Sequence, residues 1–377
     1  MKSVRDIPML ENIPVLVRAP LNMTIVDGKV ATAFRLERFV PTVKYLQERH
    51  ARVVLIGHIG EKGTETLEPV YEALKNLIPN LSFCKVTTGP EARAAVRGLS
   101  PGHVVMLENL RRDPGEVHND RAFATKLAEL GDVFVEDCFD TCHREHASII
   151  GVPKLLPSYA GLLVEEEVTE LSKALTPGHP ALAIIGGAKF STKEPVLTKL
   201  MQNYDYVFVS GALANDFMQA SGHPVGASLV SDADRGQIEP LLKNPKLLLP
   251  KDYVVAEKGK TRADGRLAGI DDVKDDEAIL DNGPQTIEML SGIVATAKAV
   301  LWNGPLGNYE NGFVEGTEAL ARVIAGSHAH SVIGGCDTVA AIEKLNLNDR
   351  FSFLSTGGGA MLDFLAKGTL PGVEALK

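Results

Sequence analysis

The stretch Ala183-Ile184-Ile185-Gly186-Gly187-Ala188-Lys189-Phe190-Ser191-Thr192-Lys193 runs from an apolar segment short enough for a buried strand, through two glycines, into a helical pattern. Glycine lets backbone approach a ligand closely, and a helix N-terminus presents unpaired N–H groups and the positive end of its dipole. Lys189 and Lys193, four residues apart, project from one helix face. The combination suits a phosphate with two cations aimed at one point, although a tight strand-to-helix turn with two solvated lysines has the same sequence. The G-x-x-x-x-G-K-[ST] spacing of a P-loop is absent.

On the C-terminal side of this element the pattern repeats. Strands are predicted at 206–210, 299–302, 330–333 and 352–354, and the last three run into Asn303-Gly304-Pro305, Gly334-Gly335-Cys336-Asp337-Thr338 and Ser355-Thr356-Gly357-Gly358-Gly359. In an open parallel sheet such turns gather at the carboxyl ends of the strands, where ligands bind. The polar stretch 258–276 reads as an irregular surface excursion. On the N-terminal side, predicted strands at 14–18, 52–58, 81–86, 104–108 and 132–136 alternate with helical patterns at 36–47, 67–77, 91–98 and 121–130. That alternation implies parallel βαβ units with helices on both faces. Between the halves, EEEVTELSKAL at 165–175 reads as one exposed helix, stopped by Thr176-Pro177-Gly178-His179-Pro180. The fold class is therefore α/β, two doubly wound lobes with mainly parallel sheets joined by a connecting helix, in a chain of 377 residues that exceeds one hydrophobic core.

The chain is 45% apolar and 23% charged, as ordinary globular proteins are, and its 35 glycines cluster at strand ends rather than in low-complexity tracts. A net charge of -9 argues against nucleic-acid and anionic-membrane partners. No apolar window reaches the length of a bilayer span and the start lacks a signal-peptide core, which points to the cytoplasm. Four scattered cysteines do not make a disulfide scaffold. Cys138, Cys142, His143 and His146 fall within nine residues and could ligate zinc, but not with a usual structural-zinc spacing.

With VRAPLN (17–22), FRLERFVPTVKYL (34–46), GHIG (57–60), LENLR (107–111), EDCFDTCHREHAS (136–148), GGAKFSTK (186–193), WNGPLGNYE (302–310), GGCDT (334–338) and STGGGA (355–360) in this order, the chain resembles the phosphoglycerate kinases over nearly its full length. The resemblance implies a hinge-bending monomer with a phosphoglycerate-binding lobe at 1–164, a connecting helix at 165–177, a nucleotide-binding lobe at 178–367, and a tail at 368–377 that returns to the first lobe. The implied reaction moves a phosphoryl group between 1,3-bisphosphoglycerate and ADP, giving 3-phosphoglycerate and ATP, with Mg2+. By matching position, Arg35, Lys189 and Lys193 would be catalytic. Asn22, Arg35, His58, Arg111 and Arg144 would bind the phosphoglycerate, as suits guanidinium forks facing phosphate and carboxylate. Lys193, Glu310, Gly335, Cys336, Asp337, Thr338, Gly357 and Gly358 would hold the nucleotide, with Asp337 at the metal.

Bland readings stand beside these: Arg35 and Arg111 as solvated arginines, Asp337 as the N-cap of the helix that begins there, His143 and His146 as packing residues. The family usually reads V-D-F-N where this chain has Ala19-Pro20-Leu21-Asn22, and H-L-G-R-P where it has His58-Ile59-Gly60-Glu61-Lys62. Pro20 thus replaces a carboxylate and Glu61 an arginine. Cys336 and Asp140 stand where glycine is usual. A kinase of a different small acid and a non-catalytic nucleotide-binding paralogue remain the alternatives. A nicotinamide oxidoreductase is disfavoured, since no G-x-G-x-x-G follows the first strand.

Overall fold

The computed structural model describes residues 1–188, 190–257 and 259–377. The chain divides into two compact units, Met1–Thr169 with Thr369–Lys377, and Glu170–Gly368. Both are mixed α/β, each built on a six-stranded parallel sheet.

Unit 1 contains β1 (Pro14–Arg18), β2 (Ile25–Val26), β3 (Lys29–Val30), α1 (Phe34–Glu48), β4 (Arg52–Ile56), α2 (Glu68–Leu74), β5 (Leu81–Cys84), α3 (Gly89–Arg97), β6 (Val104–Leu107), α4 (Arg121–Ala128), β7 (Val133–Glu136) and β8 (Ser158–Ala160). The sheet order is β5-β6-β4-β1-β7-β8, with β2 and β3 forming a separate small hairpin. Its strands are covered on both faces. Val15, Val17, Val53, Leu55, Val104 and Met106 enter one apolar cluster, while Leu16, Val54, Ile56, Val105, Leu107 and Phe134 enter another. A period of two with both faces buried explains why these strands read as continuous apolar runs.

The next helix, α5 (Leu162–Leu175), begins three residues earlier than its acidic first turns suggest, and it is amphipathic rather than exposed. Leu163, Val164, Glu167 and Leu171 are buried. The early start has a non-local cause. Asp137 Oδ1 accepts from the Leu163 and Val164 N–H groups at 2.9 and 3.3 Å, and Thr42 Oγ1 accepts from Leu162 N–H at 2.9 Å. These side chains satisfy the first-turn donors that sequence-local caps usually satisfy.

Unit 2 continues with β9 (Ala181–Ile185), α6 (Phe190–Asn203), β10 (Tyr206–Val209), α7 (Ala212–Ala220), α8 (Arg235–Leu242), β11 (Leu247–Leu248), β12 (Asp252–Glu257), β13 (Arg266–Gly269), β14 (Glu277–Asn282), α9 (Pro284–Val294), β15 (Ala299–Asn303), α10 (Glu315–Ala325), β16 (His330–Gly334), α11 (Cys336–Lys344), β17 (Phe353–Leu354) and α12 (Gly359–Lys367). The parallel order is β11-β10-β9-β15-β16-β17. The stretch expected to be an irregular excursion contains β13 and leads into β14; with β12 between them they form a three-stranded antiparallel sheet. Arg266 Nε and Nη2 donate to Glu277 at 2.7 and 2.6 Å, tying β13 to the start of β14.

The segment Thr369–Lys377 belongs to unit 1 and carries α13 (Pro371–Glu374), whose Gly372 N–H donates to Cys142 O at 2.9 Å. A Cβ on Gly372 would lie 2.9 Å from Ile149 and 3.0 Å from Cys142 Sγ, so the close approach requires glycine. No helix among the described residues is long and apolar enough to cross a membrane.

Candidate active site

In unit 1 the loops after β1, β4, β6 and β7, with the first turn of α1, bring Asn22, Arg35, His58, Arg111 and Arg144 into one basic region. Its centre is Arg18, which closes the apolar strand β1 and is completely buried. Arg18 Nε donates to Ser148 Oγ at 3.0 Å, Nη1 to Ala19 O at 2.8 Å and Cys138 Sγ at 3.3 Å, and Nη2 to His58 Nδ1 at 2.8 Å. A guanidinium only donates, so His58 Nδ1 accepts and the ring proton sits on Nε2. Burial, then the Arg18 and Arg111 charges, hold His58 well below the usual imidazole range. It is a neutral donor. Behind it, Ser148 N–H and Oγ–H donate to the buried Glu116 at 3.0 and 2.6 Å. His146 lies 3.9 Å from the same carboxylate, and burial beside Arg111 and Arg18 lowers its pKa to about 4.

Asn22 and Arg111 are joined through one residue. Gly60 N–H donates to Asn22 Oδ1 at 3.0 Å, and Gly60 O accepts from Arg111 Nη1 at 2.6 Å. Asn109 pins the same loop, its Nδ2 donating to Ile59 O at 2.8 Å and Glu65 O at 3.0 Å. Gly63, at φ +72°, has Arg111 O only 2.0 Å from where a Cβ would lie, so this close loop packing admits glycine alone. Arg111 Nε is buried with no partner, and burial and the charge of Arg18 lower its pKa. Arg35, in the first turn of α1, donates from Nη1 to Asn22 O at 3.1 Å and lies 3.5 Å from Asp140 Oδ2. Arg144 is exposed.

The departures from the resemblance take definite places. Pro20 is buried, whereas Glu61 and Lys62 are exposed, and the Glu61 charge partly offsets the downward pull on Arg111. Cys138 and Cys142 are buried thiols whose pKa values burial pushes well up. Cys138 meets Arg18, Asp140 and Thr141. Among the described residues no three His, Cys, Asp or Glu are grouped to hold a metal ion, so the zinc reading of 138–146 has no geometric support.

In unit 2 a cavity of about 370 Å3 opens at the carboxyl ends of β9 and β10, lined by Gly187, Ala188, Gly211, Glu310 and Asp337 among others. This falls in the range of small-molecule sites. Its far wall is the antiparallel sheet, through Tyr253 and the run Ala278 to Asn282. Asn215 and Tyr253 also line it, and Asn215 Oδ1 and the Tyr253 hydroxyl are buried without partners. None of these wall residues stands out in the sequence. The loop after β15 is held by Trp302 Nε1, which donates to Gly304 O at 2.7 Å. Gly186 must be glycine, because a Cβ there would lie 2.3 Å from Pro305 O.

Lys189 lies outside the described residues. Lys193 lies across Gly187, its Cε 3.2 Å from where a Cβ on that glycine would stand, and burial lowers its pKa to about 8. An anion would restore the charge, so its binding should take up a proton from about pH 8 upward. Affinity for a polyphosphate anion is expected to fall severalfold from pH 7 to 9 and to fall less in Lys193→Arg; isothermal titration with tripolyphosphate in buffers of different ionisation enthalpy measures both.

Asp337 is not a helix cap: α11 starts at Cys336 with Gly335 as N-cap and no side-chain capping bond. Its carboxyl is half-buried and shifted upward by burial and by Glu310, an environment that a divalent cation would relieve. Thr338 Oγ1 is buried with no partner. Gly335, Cys336, Thr338, Lys193, Gly357 and Gly358 are not part of the cavity lining. Gly358 is at φ +49° with no atom near its Cβ position, and Cys336 is exposed at the start of α11.

The family model for phosphoglycerate kinase matches residues 4–368. The chain belongs to the phosphoglycerate kinase family. It is 43% identical to the phosphoglycerate kinase of Herpetosiphon aurantiacus, over 96% of this chain and 95% of that one, and 40% identical to that of Moorella thermoacetica, over 97% of each. Among solved structures, the phosphoglycerate kinase of Pyrococcus horikoshii OT3 superposes with a TM-score of 0.91 at 30% identity, covering 100% of this chain and 98% of that one. That of Coxiella burnetii gives 0.83 at 35% identity, covering 99% and 98%. This phosphoglycerate kinase has a patch of hydrogen-bond donors in unit 1 and a cavity of about 370 Å3 in unit 2.

Proposed function

We propose that this chain transfers a phosphoryl group between 1,3-bisphosphoglycerate and ADP, reversibly giving 3-phosphoglycerate and ATP in glycolysis or gluconeogenesis. The observation that carries the reading is the unit 1 patch, where Arg35 and Arg111 bond the backbone oxygens of Asn22 and Gly60 and Arg18 fixes His58 as an Nε2–H donor. Phosphoryl transfer needs positioning and charge neutralisation more than covalent chemistry. In this reading Arg111, Arg144 and His58 bind the acid's anionic groups and Asn22 hydrogen-bonds it. Arg35 stabilises the transferring phosphoryl, with Lys189 and Lys193 as the cations on the nucleotide side. Glu310 accepts from the ribose hydroxyls, Thr338 donates its unpaired hydroxyl to a phosphate, and the glycine turns at Gly335, Cys336, Gly357 and Gly358 admit the nucleotide backbone-close. Mg2+ on the nucleotide would be held by Asp337 and would supply neutralising charge to the phosphates. A monomer acting in the cytoplasm, with a hinge step before transfer, completes the proposal.

The test is ATP consumption with 3-phosphoglycerate and Mg2+. Saturating substrates with no turnover would sink the reading. Glu61→Arg is expected to lower KM for 3-phosphoglycerate by about three- to tenfold, because a carboxylate beside an anion site is replaced by a fork that matches it. An unchanged KM would place position 61 outside the site.

A further inference from the structure

The hydrogen-bonding capacity of the unit 1 patch is mostly that of donors, its exposed carboxylates being Glu61 and Glu65 on the Gly60 side. Arg35, Arg111 and Arg144 carry no acceptor, and His58 presents Nε2–H. Pro20 has no polar side-chain atom, Asn22 Oδ1 is already engaged by Gly60 N–H at 3.0 Å, and Glu116 and Glu136 are completely buried.

Asp140 differs from all of these. Its side chain is 10% exposed, and its Oδ1 accepts from the Cys138 thiol at 2.9 Å and the Thr141 hydroxyl at 3.3 Å. That leaves Oδ2 facing Arg35 Nη1 at 3.5 Å. A charge-assisted hydrogen bond of this kind closes to about 2.7–2.9 Å when it is the group's main partner. Oδ2 therefore keeps lone-pair capacity beside the arginine that meets the substrate. A carboxylate here repels a purely anionic ligand and suits one that brings a donor as well.

We propose that Asp140 is a specificity-determining residue: its Oδ2 accepts a hydrogen bond from the hydroxyl of a phosphorylated 2-hydroxy acid bound at Arg35, so that the patch selects the hydroxy acid over its deoxy counterpart. This rests on the proposed function, which supplies the acid. The cysteine and threonine behind Oδ1 fix the carboxylate's orientation, so the hydroxyl meets a set acceptor rather than a mobile one.

The experiment measures kcat/KM and calorimetric affinity for 3-phosphoglycerate and for 3-phosphonooxypropanoate, which lacks the hydroxyl, in the full-length wild type, Asp140→Asn and Asp140→Ala. For Asp140→Ala the expected loss on the hydroxy acid is about 10- to 100-fold, the range for a hydrogen bond to a charged group, with a change of less than about threefold on the deoxy acid. Asp140→Asn, which keeps an oxygen acceptor, should fall between. Urea unfolding followed by circular dichroism reports the folding of unit 1, which carries Asp140, in each variant. Equal effects on both acids, or a gain on both because a repulsive charge has left, would overturn the proposal. A wild type that neither binds nor phosphorylates 3-phosphoglycerate would overturn the proposed function, and this inference with it. Failure confined to the variant-by-substrate comparison would overturn the inference alone.

Discussion

Replacing Arg35 by alanine is expected to lower kcat for 3-phosphoglycerate phosphorylation about 10³-fold, the lower end of what an arginine on a transferring phosphoryl contributes, or about 4 kcal/mol of transition-state stabilisation. Arg35 is held by Asn22 O and faces Asp140, so its guanidinium is oriented before substrate arrives. Pre-orientation lets the charge act in the transition state without a reorganisation cost. Mg-ATP affinity should stay within about twofold of wild type, since unit 2 carries that cavity. Steady-state kinetics with a separate binding titration measure both. A loss below tenfold would remove Arg35 from the reacting centre and leave it as a surface ion-pair partner.

The second large effect is expected at Arg18, where Arg18→Met should destabilise unit 1 by about 3–5 kcal/mol, the cost of breaking a buried charge network from one side. Four acceptors lose their donor at once: Ser148 Oγ, Ala19 O, Cys138 Sγ and His58 Nδ1. The completely buried Glu116 and Glu136 also lose their nearby positive charge. Lysine should rescue little, because a single ammonium cannot span acceptors arranged for a planar fork. Urea unfolding followed by circular dichroism gives the stability. Trp302, the only tryptophan, reports unit 2 separately by fluorescence. A loss below about 1 kcal/mol would mean that the network reorganises around water. Any surviving activity should also show a raised KM, because His58 is no longer held to one tautomer.

The central strands of the two parallel sheets were legible because they are buried on both faces and therefore apolar throughout, as in Val15 to Val17 and Val53 to Ile56, whereas the short, part-buried edge strands β8 and β11 were not. Nor was the antiparallel sheet of unit 2. β13 alternates exposed and buried residues over only four positions, and β14 carries Glu277, Asp281 and Asn282, residue types that rarely fill strands. Those carboxylates are tolerated because each is answered: Glu277 by Arg266, Asp281 by the N–H groups of Asn282 at 2.8 Å and Gly316 at 2.9 Å. Since that sheet walls the unit 2 cavity, missing it also hid the part played by Tyr253 on β12.

The basic residues of the patch were named by matching position in the family resemblance, and neither composition nor spacing singled them out. Arg18 escaped notice by ending an otherwise apolar strand. An arginine that closes a fully buried run, with no room to reach solvent, is the signal that could have found it. The acidic first turns of α5 misplaced its start for the opposite reason. The cap comes from Asp137 and Thr42, distant in sequence, and a local reading sees only what is adjacent.

The return of Thr369–Lys377 to unit 1 sets an order of events during synthesis. All of unit 2 is translated between Thr169 and Thr369, so unit 1 gains the contacts made by Gly372 and α13 only after every residue of unit 2 has been made. Until then the groove around Cys142 and Ile149 stays open in the nascent chain. Unit 1, the first to be started, is thus the last to be completed.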